Sequence, residues 1–285
     1  MILITGGSGK TGKAILQALV RMGKPVRIMV HREEQGEPLL NLGASQVVVG
    51  DLLRPSDLEE AMRGIEAIYH ICPNVNPHEL EIGRLAIAAA QKMGVNRFVY
   101  HSVLHPQTEG MPHHWLKMRV EEKLLESGLD YTILQPAAYM QNILGQWGKI
   151  TQEGKYPVPY TVHARLSMVD LGDVAEVAAK VLTETGHANA IYELSGSEAY
   201  SQEEVARVIG KCLGKPVQAV QLPLDQWESQ ARSGGMGEYA LTTLLNMFRY
   251  YDRFGFTGNP NVLSMLLGRP PTTFEGFLNR AIHAM

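Results

Sequence analysis

Residues 2–12 read Ile-Leu-Ile-Thr-Gly-Gly-Ser-Gly-Lys-Thr-Gly, a short apolar run that breaks directly into glycine. Gly6, Gly9 and Gly12 make a GxxGxxG spacing, and Lys13–Met22 continues as a helix-compatible stretch. Strand, glycine turn and helix in that order are the first unit of a dinucleotide fold. Gly6 lets the chain turn tightly, Gly9 lets backbone approach a pyrophosphate, and Gly12 lets the helix pack against the strand. The helix N-terminus supplies N–H groups and the positive end of its dipole to the phosphates. Three spaced glycines alone also fit a plain structural turn. The complete βαβ unit around them carries the nucleotide reading, with Ser8, Lys10 and Thr11 as the other cofactor-facing residues of the turn.

The rest of the first half repeats the alternation. Strands are expected at Ile2–Ile4, Val26–Val30, Gln46–Val49, Ala67–Ile71, Arg97–His101 and Tyr131–Leu134. Helices are expected at Gly12–Met22, Ser56–Met62, Pro77–Met93, Trp115–Ser127 and Ala138–Ile150. Short, almost wholly apolar strands between amphipathic helices imply a parallel sheet covered on both faces. Right-handed crossovers then give the doubly wound order 3-2-1-4-5-6, with ligands at the carboxyl ends of the strands. The expected fold is therefore α/β, a Rossmann-like doubly wound parallel sheet followed by a smaller C-terminal α/β lobe.

The boundaries drawn are 1–152 for the nucleotide-binding domain, with 166–195 returning to it, and 196–285 for the lobe. Residues 153–165, rich in proline and tyrosine, are expected as a loop over the cleft. In the second half Asp170–Leu182 and Ser201–Leu213 read as helices, and Ala190–Leu194 and Val217–Gln221 as strands. Ser201 and Glu204 form a capping box, and Gly214 is the matching C-cap. Leu224–Met285 reads as mainly helical.

Composition narrows the function classes. The 285 residues are 45% hydrophobic and 19% charged, as in an ordinary soluble globule. A net charge of −3 gives no electrostatic case for nucleic acid or an anionic membrane. No apolar run reaches the roughly 18 residues of a membrane-spanning helix. Two cysteines, Cys72 and Cys212, fit a reducing compartment and read as buried thiols. A strand beginning at residue 2 leaves no room for a targeting peptide, so a cytoplasmic protein is expected. Helices exposed in a dimer and helices covered by the lobe share one pattern, which leaves a homodimer open.

The end of the second strand meets the adenosine ribose. It carries His31 and Arg32 instead of an acidic residue, followed by Glu33 and Glu34. A guanidinium can hold a phosphate bidentately and stack on adenine, so Arg32, with Lys10, favours NADP(H) over NAD(H). The alternative is a solvated Arg32 paired with its neighbours. After the third strand, Asp51 and Leu52 either meet the adenine or form a turn.

Six further stretches complete a resemblance: Val26-Arg-Ile-Met-Val-His-Arg32, Val49-Gly-Asp-Leu52, Val95-Asn-Arg-Phe-Val-Tyr-His-Ser102, Leu129-Asp-Tyr-Thr-Ile-Leu-Gln-Pro136, Met168-Val-Asp-Leu-Gly-Asp-Val174 and Leu267-Gly-Arg-Pro-Pro-Thr-Thr-Phe274. With the glycine turn they cover nearly the whole chain in order. The chain resembles the NmrA-like group of atypical short-chain dehydrogenase/reductases. That group includes isoflavone-type reductases, NADPH-dependent quinone, azo-dye and triphenylmethane-dye reductases, and redox-sensing regulators without known turnover.

Ordinary members of the superfamily use a Tyr-x-x-x-Lys pair on the helix after the fifth strand. Here that helix reads His113-His114-Trp115-Leu116-Lys117, so Lys117 stands at the lysine and His113 at the tyrosine. The resemblance implies that Lys117 binds the nicotinamide ribose and that Ser102, at the end of strand five, lies beside the nicotinamide. A surface lysine and a strand-terminal hydroxyl are the alternatives. His113 is the candidate proton donor, since imidazole titrates near neutrality; with His114 it also fits a capping or surface role. Pro73 and Pro136 are further candidate cofactor contacts, unless the stiff Pro73–Pro77 loop is a plain strand-to-helix connector and Pro136 lines the substrate slot. Tyr139, Met140, Asn142, Trp147 and Tyr160 are candidates to line a substrate slot, unless they serve as core.

Loss of the tyrosine argues against alcohol dehydrogenation and leaves hydride delivery intact. Flat, conjugated, electron-poor acceptors need little acid catalysis, so an NADPH-dependent reductase of a quinone, azo or triphenylmethane dye is the leading expectation. A non-catalytic NADP(H) sensor that controls a protein partner is the second. An epimerase, which also needs the tyrosine, is third.

Overall fold

The computed structural model describes residues 1–283. In chain order the strands are β1 (Ile2–Ile4), β2 (Val26–Val30), β3 (Gln46–Val49), β4 (Ala67–His70), β5 (Arg97–His101), β6 (Asp130–Pro136), β7 (Ala138–Tyr139), β8 (Lys155–Val158), β9 (Leu166–Val169), β10 (Ala190–Leu194), β11 (Ala199–Tyr200) and β12 (Gln218–Gln221). The helices are α1 (Lys10–Arg21), α2 (Gly36–Asn41), α3 (Pro55–Ala61), α4 (Glu79–Met93), α5 (Pro112–Leu125), α6 (Trp147–Glu153), α7 (Leu171–Thr183), α8 (Gln202–Leu213), α9 (Leu224–Ser233), α10 (Glu238–Phe254), α11 (Asn261–Leu267) and α12 (Phe274–His283).

Seven strands form one sheet in the order β10-β6-β5-β4-β1-β2-β3. The expected doubly wound order is therefore present, with β10 added outside β6. From β3 to β6 every neighbouring pair is parallel. The apolar strands explain this, since both faces of β1 and β4 are wholly buried. Leu3, Ile68, Phe98, Tyr100 and Ile133 lie in one core cluster with Leu58, Ala86, Ala90, Val120 and Leu124 from α3, α4 and α5. Gly83 on α4 keeps that packing close, because a Cβ there would stand 2.6 Å from Val120 Cγ1.

The chain divides into two compact units. One comprises residues 1–107, 113–135 and 174–192 and holds the large sheet; the other comprises 108–112, 136–173 and the chain from Glu193 onward. Within the second unit, β9 pairs parallel with β7 and antiparallel with β11, and β12 pairs parallel with β8. Its core gathers Met140, Ile143, Ile150, Tyr156, Val205, Ile209, Phe274 and Phe277. The capping box is formed, with Ser201 Oγ accepting from Glu204 N–H and Glu204 Oε2 accepting from Ser201 N–H, and Gly214 ends α8 at φ 65°. No helix of the described residues is long and apolar enough to cross a membrane.

Several local expectations need correction. Ala138–Ile150 is not one α-helix: β7 leads into a 3₁₀ segment over Met140–Gln146, and α6 follows from Trp147. Apolar residues at 140, 143 and 147 suit a three-residue turn as well as an α-helix, so spacing could not separate the two. The expected 153–165 loop contains β8, with Pro157 tolerated because only one neighbour, β12, needs its hydrogen bonds. Helix α5 starts at Pro112, a residue suited to the first helical position, so both histidines lie inside its first turn. Helix α4 starts at Glu79, leaving Pro77 in the preceding turn. Cys72 is buried, but Cys212 is only half-buried.

Two aspartates knit the closing motif into the second unit. Asp173 is buried and accepts from Arg269 Nη2 at 2.9 Å, Thr272 N–H at 2.6 Å and Thr272 Oγ1 at 2.9 Å. Asp170 pairs with Arg280 and accepts from Gln141 Nε2 at 2.7 Å. Removing one side of a buried, charge-assisted cluster leaves the rest unpaired. Asp173→Ala is therefore expected to cost about 3 kcal/mol, a fall in Tm of several degrees. Thermal unfolding followed by circular dichroism checks this, and an unchanged Tm would count against the cluster as a stabilising element.

Candidate active site

The glycine turn leaves β1 at a point tied to β4. Thr5 N–H donates to Tyr69 O at 3.1 Å, and Thr5 Oγ1 accepts from Ile71 N–H at 2.8 Å. Gly6 then adopts φ +61°, where a Cβ would also stand 3.0 Å from Ile71 O. A Cβ on Gly12 would lie 2.5 Å from Gly7 Cα and 2.8 Å from Gly6 O, so helix and turn touch backbone to backbone. Gly7 is as constrained, with a Cβ reaching 2.2 Å from Ile28 Cγ2; the Gly6-Gly7 doublet was its only signal in sequence. At Gly9 a Cβ would meet only Gly6 O, at 3.4 Å. Gly9 caps α1 without any side-chain acceptor, and no acidic residue occupies the first turn. This is the cradle a pyrophosphate needs: a strand-end turn, an uncapped helix N-terminus and backbone open to approach. Ser8 is half-buried beside it, Lys10 is exposed and Thr11 is buried.

Beyond β2, His31 and Arg32 are exposed. Gln35 Oε1 accepts from both of their backbone N–H groups, at 3.2 and 3.0 Å, and shapes the turn. Arg32 Nε lies 3.0 Å from Glu34 Oε1, a surface ion pair weak enough to be exchanged for a phosphate. Asp51 Oδ1 accepts from Leu53 N–H at 2.9 Å, the turn role among its two expectations, and Leu52 packs on the core. Asp57, which the sequence reading missed, accepts from Asp51 N–H at 3.0 Å and secures that turn.

At the end of β5 the lysine is held on two sides. Lys117 Nζ donates to Glu79 Oε1 at 2.9 Å and to His101 O at 3.2 Å. Tyr100 Oη donates to the same Glu79 oxygen at 2.7 Å. Glu79 is almost wholly buried, and 15% of the Lys117 side chain remains exposed. Burial and Glu79 push the Cys72 thiol far up, so it is no nucleophile. Pro73 beside it is exposed, and Val75 in that loop adopts φ 48°, a strained conformation for a β-branched residue.

Ser102 is buried, and its hydroxyl donates to Glu121 Oε1; Gln135 Nε2 donates to both oxygens of that carboxylate at 3.0 Å. Burial raises the Glu121 pKa against those bonds. His113 and His114 stack edge to face, their centroids 4.4 Å apart. Burial, His114 and Lys117 lower the His113 pKa to about 3, and His113 Nδ1 is buried without a hydrogen-bond partner. His114 is lowered to about 4, chiefly by burial. Burial thus favours the neutral form of both rings at physiological pH, against the expected titration of His113 near neutrality. Burial, which spacing cannot report, is the reason.

The turn, Arg32, Asp51 and Ser102 thus follow the carboxyl ends of strands of one sheet, and Lys117, on α5, reaches the end of β5 through the His101 carbonyl. Pro136 ends β6 and is buried. In the second unit, Met140 is 1% exposed and is a core residue, which removes it from an accessible slot. Trp147 and Tyr160 pack against the same core while half-exposed, Tyr139 is half-buried, and Asn142 is exposed. Glu79, Tyr100, Glu121 and Gln135 were not foreseen. An acidic residue opening a helix reads as a dipole complement, and nothing local marks it as buried.

The sequence model of the NmrA-like family matches residues 1–278. The chain belongs to the NmrA-like family. Within it, the chain is similar to the NAD(P)H azoreductase of Xenophilus azovorans, 29% identical over 279 residues, or 97% of this chain and 96% of that one. It is 26% identical to quinone oxidoreductase 2 of Escherichia coli, over 96% of each chain. The crystal structure of that NADPH-dependent quinone oxidoreductase with NADPH superposes with a TM-score of 0.87 at 25% identity, covering 99% of this chain and 100% of that one. The triphenylmethane reductase of Citrobacter sp., complexed with NADP(H), shares the fold at 21% identity, with a TM-score of 0.86 and coverage of 99% and 100%.

Proposed function

We propose that this NmrA-like chain is an NADPH-dependent reductase of flat, conjugated acceptors such as quinones, azo dyes or triphenylmethane dyes. The observation that carries the reading is the pairing of an intact glycine cradle with a lysine fixed at the end of β5, and no tyrosine four residues before it. The relatives named an azoreductase and a quinone oxidoreductase support the same class.

The α1 N-terminus and the turn around Gly9 would hold the pyrophosphate. Arg32 and Lys10 would supply positive charge for a 2′-phosphate, and Lys117 would donate to the nicotinamide ribose. When bound, NADPH supplies the hydride. The chain contributes position and electrostatics, and its own groups explain the acceptor class. His113, where a tyrosine acid would stand, is uncharged at neutral pH and offers no readily released proton. A product whose negative charge is delocalised can wait for a proton from water, whereas a simple alkoxide cannot.

NADPH oxidation against a panel of quinones, azo dyes, triphenylmethane dyes and simple ketones tests the reading. Saturable turnover of the conjugated acceptors, with ketones inert, is expected, and Lys117→Met should lower kcat/KM by about 100-fold, equivalent to about 2.7 kcal/mol. Tight NADPH binding with no oxidation across the panel would replace the reductase by a nucleotide sensor.

A further inference from the structure

We propose that Glu79 is a positioning residue for Lys117, holding the ammonium in the one orientation that serves the bound dinucleotide. The inference rests on the reading above that Lys117 meets the cofactor. An ammonium has three N–H donors in a tetrahedral arrangement on a flexible four-carbon stem. Here one is directed at Glu79 Oε1 and another at the His101 carbonyl, at 2.9 and 3.2 Å. These acceptors sit on separate rigid elements, the first turn of α4 and the end of β5. Two fixed bonds determine the direction of the third N–H.

Glu79 is itself fixed. Tyr100 Oη donates to the same oxygen at 2.7 Å, and the Cys72 thiol is also bonded to the carboxyl. The Lys117 ammonium additionally lies 5.3 Å from the centre of the Tyr100 ring. Cys72, Glu79, Tyr100 and Lys117 therefore form one buried group at the carboxyl ends of β4 and β5. A carboxylate that served only the α4 dipole would point to solvent, where such residues usually lie. This one is 3% exposed and faces a lysine 38 positions away. Burying a carboxylate is costly unless it is paired and hydrogen-bonded, and its partner is the lysine that stands where the resemblance puts the ribose ligand.

The test is a double-mutant cycle read on NADPH binding, by the change in NADPH fluorescence, with thermal stability measured beside it. Glu79→Gln keeps shape and removes charge; Lys117→Met keeps length and removes all donors. Glu79→Gln is expected to weaken NADPH binding about 5- to 10-fold, and Lys117→Met by more. The double variant, whose two neutral side chains avoid an unpaired buried charge, should fold and bind no more weakly than Lys117→Met alone. Glu79→Asp, which retains charge, should recover part of the lost affinity. Wild-type affinity in Glu79→Gln, with only Tm reduced, would overturn the positioning role in favour of a structural one. So would effects of the two substitutions that multiply in the double variant. Wild-type affinity in Lys117→Met would instead overturn the Lys117 assignment, and this inference with it.

Discussion

On acidification from pH 7 towards pH 5 the protein is expected to lose most of its stability, with Tm falling by roughly 10 °C per pH unit. The cause is a set of buried neutral histidines at the carboxyl ends of β4 and β5 and on α5. His70, His101 and His114 are 0, 7 and 1% exposed. Desolvation, the largest cause in each case, lowers their pKa values to about 4, 3 and 4. His101 Nδ1 lies 2.6 Å from the Tyr69 hydroxyl, and His70 Nδ1 lies 3.0 Å from Thr5 Oγ1, bonds made by neutral rings. In the unfolded chain the same histidines titrate near 6.5. Between that value and the lowered one, the unfolded state binds more protons than the native state. Their contribution is thus fully present above about pH 6.5 and is lost as the pH falls toward 4.

Each such group changes stability by about 1.4 kcal/mol per pH unit, so these three together with His113, also lowered by burial to about 3, approach about 5 kcal/mol per unit. Against a total of about 5–15 kcal/mol, one to a few pH units suffice to unfold a domain. Calorimetry at pH 7, 6 and 5, in buffers of different ionisation enthalpy, should show falling Tm and uptake of about four protons on unfolding at pH 5. A Tm constant over that range would mean that these rings are charged and paired in the native state.

The second large effect concerns the glycine turn, where two alanine substitutions should separate. Gly12→Ala places a Cβ within 2.8 Å of two backbone atoms that cannot yield separately. It should lower stability by about 1–3 kcal/mol and weaken NADPH binding together with it. Gly9→Ala meets nothing closer than 3.4 Å, and exchanging glycine for alanine at a helix N-cap costs only about 1 kcal/mol. Its fold should hold, with Tm within a few degrees of wild type, while NADPH binding weakens by about 100-fold, equal to about 2.7 kcal/mol. The Cβ would fill the space through which phosphate oxygens approach the backbone. Binding titrations with parallel melting curves read both quantities. Wild-type affinity in Gly9→Ala would place the pyrophosphate elsewhere.

Much of this was legible before the structure. The strand order follows from apolar runs, connection lengths and crossover handedness, all of which are local or topological. The cradle was legible because glycine is demanded by backbone geometry alone: the φ of Gly6 and the backbone contact at Gly12 leave no other choice. Helix Ala138–Ile150 was misread because 3₁₀ and α periodicities differ by only about half a residue per turn, too little for a few apolar positions to separate. Strand β8 was hidden by Pro157, and Met140 by a spacing shared by pocket and core.

By itself, then, the sequence determined the Rossmann-like α/β order, the tight glycine turn after β1, the NmrA-like resemblance and the absence of the tyrosine. These depend on residue type and spacing along the chain. Only the tertiary structure decided that burial lowers the pKa values of His113 and His114, that Ser102 is hydrogen-bonded to Glu121, and that Lys117 is paired with Glu79 beside Tyr100. The reason is physical: charge state and side-chain direction are set by burial and by partners tens of positions away, and neither quantity is a property of a short segment.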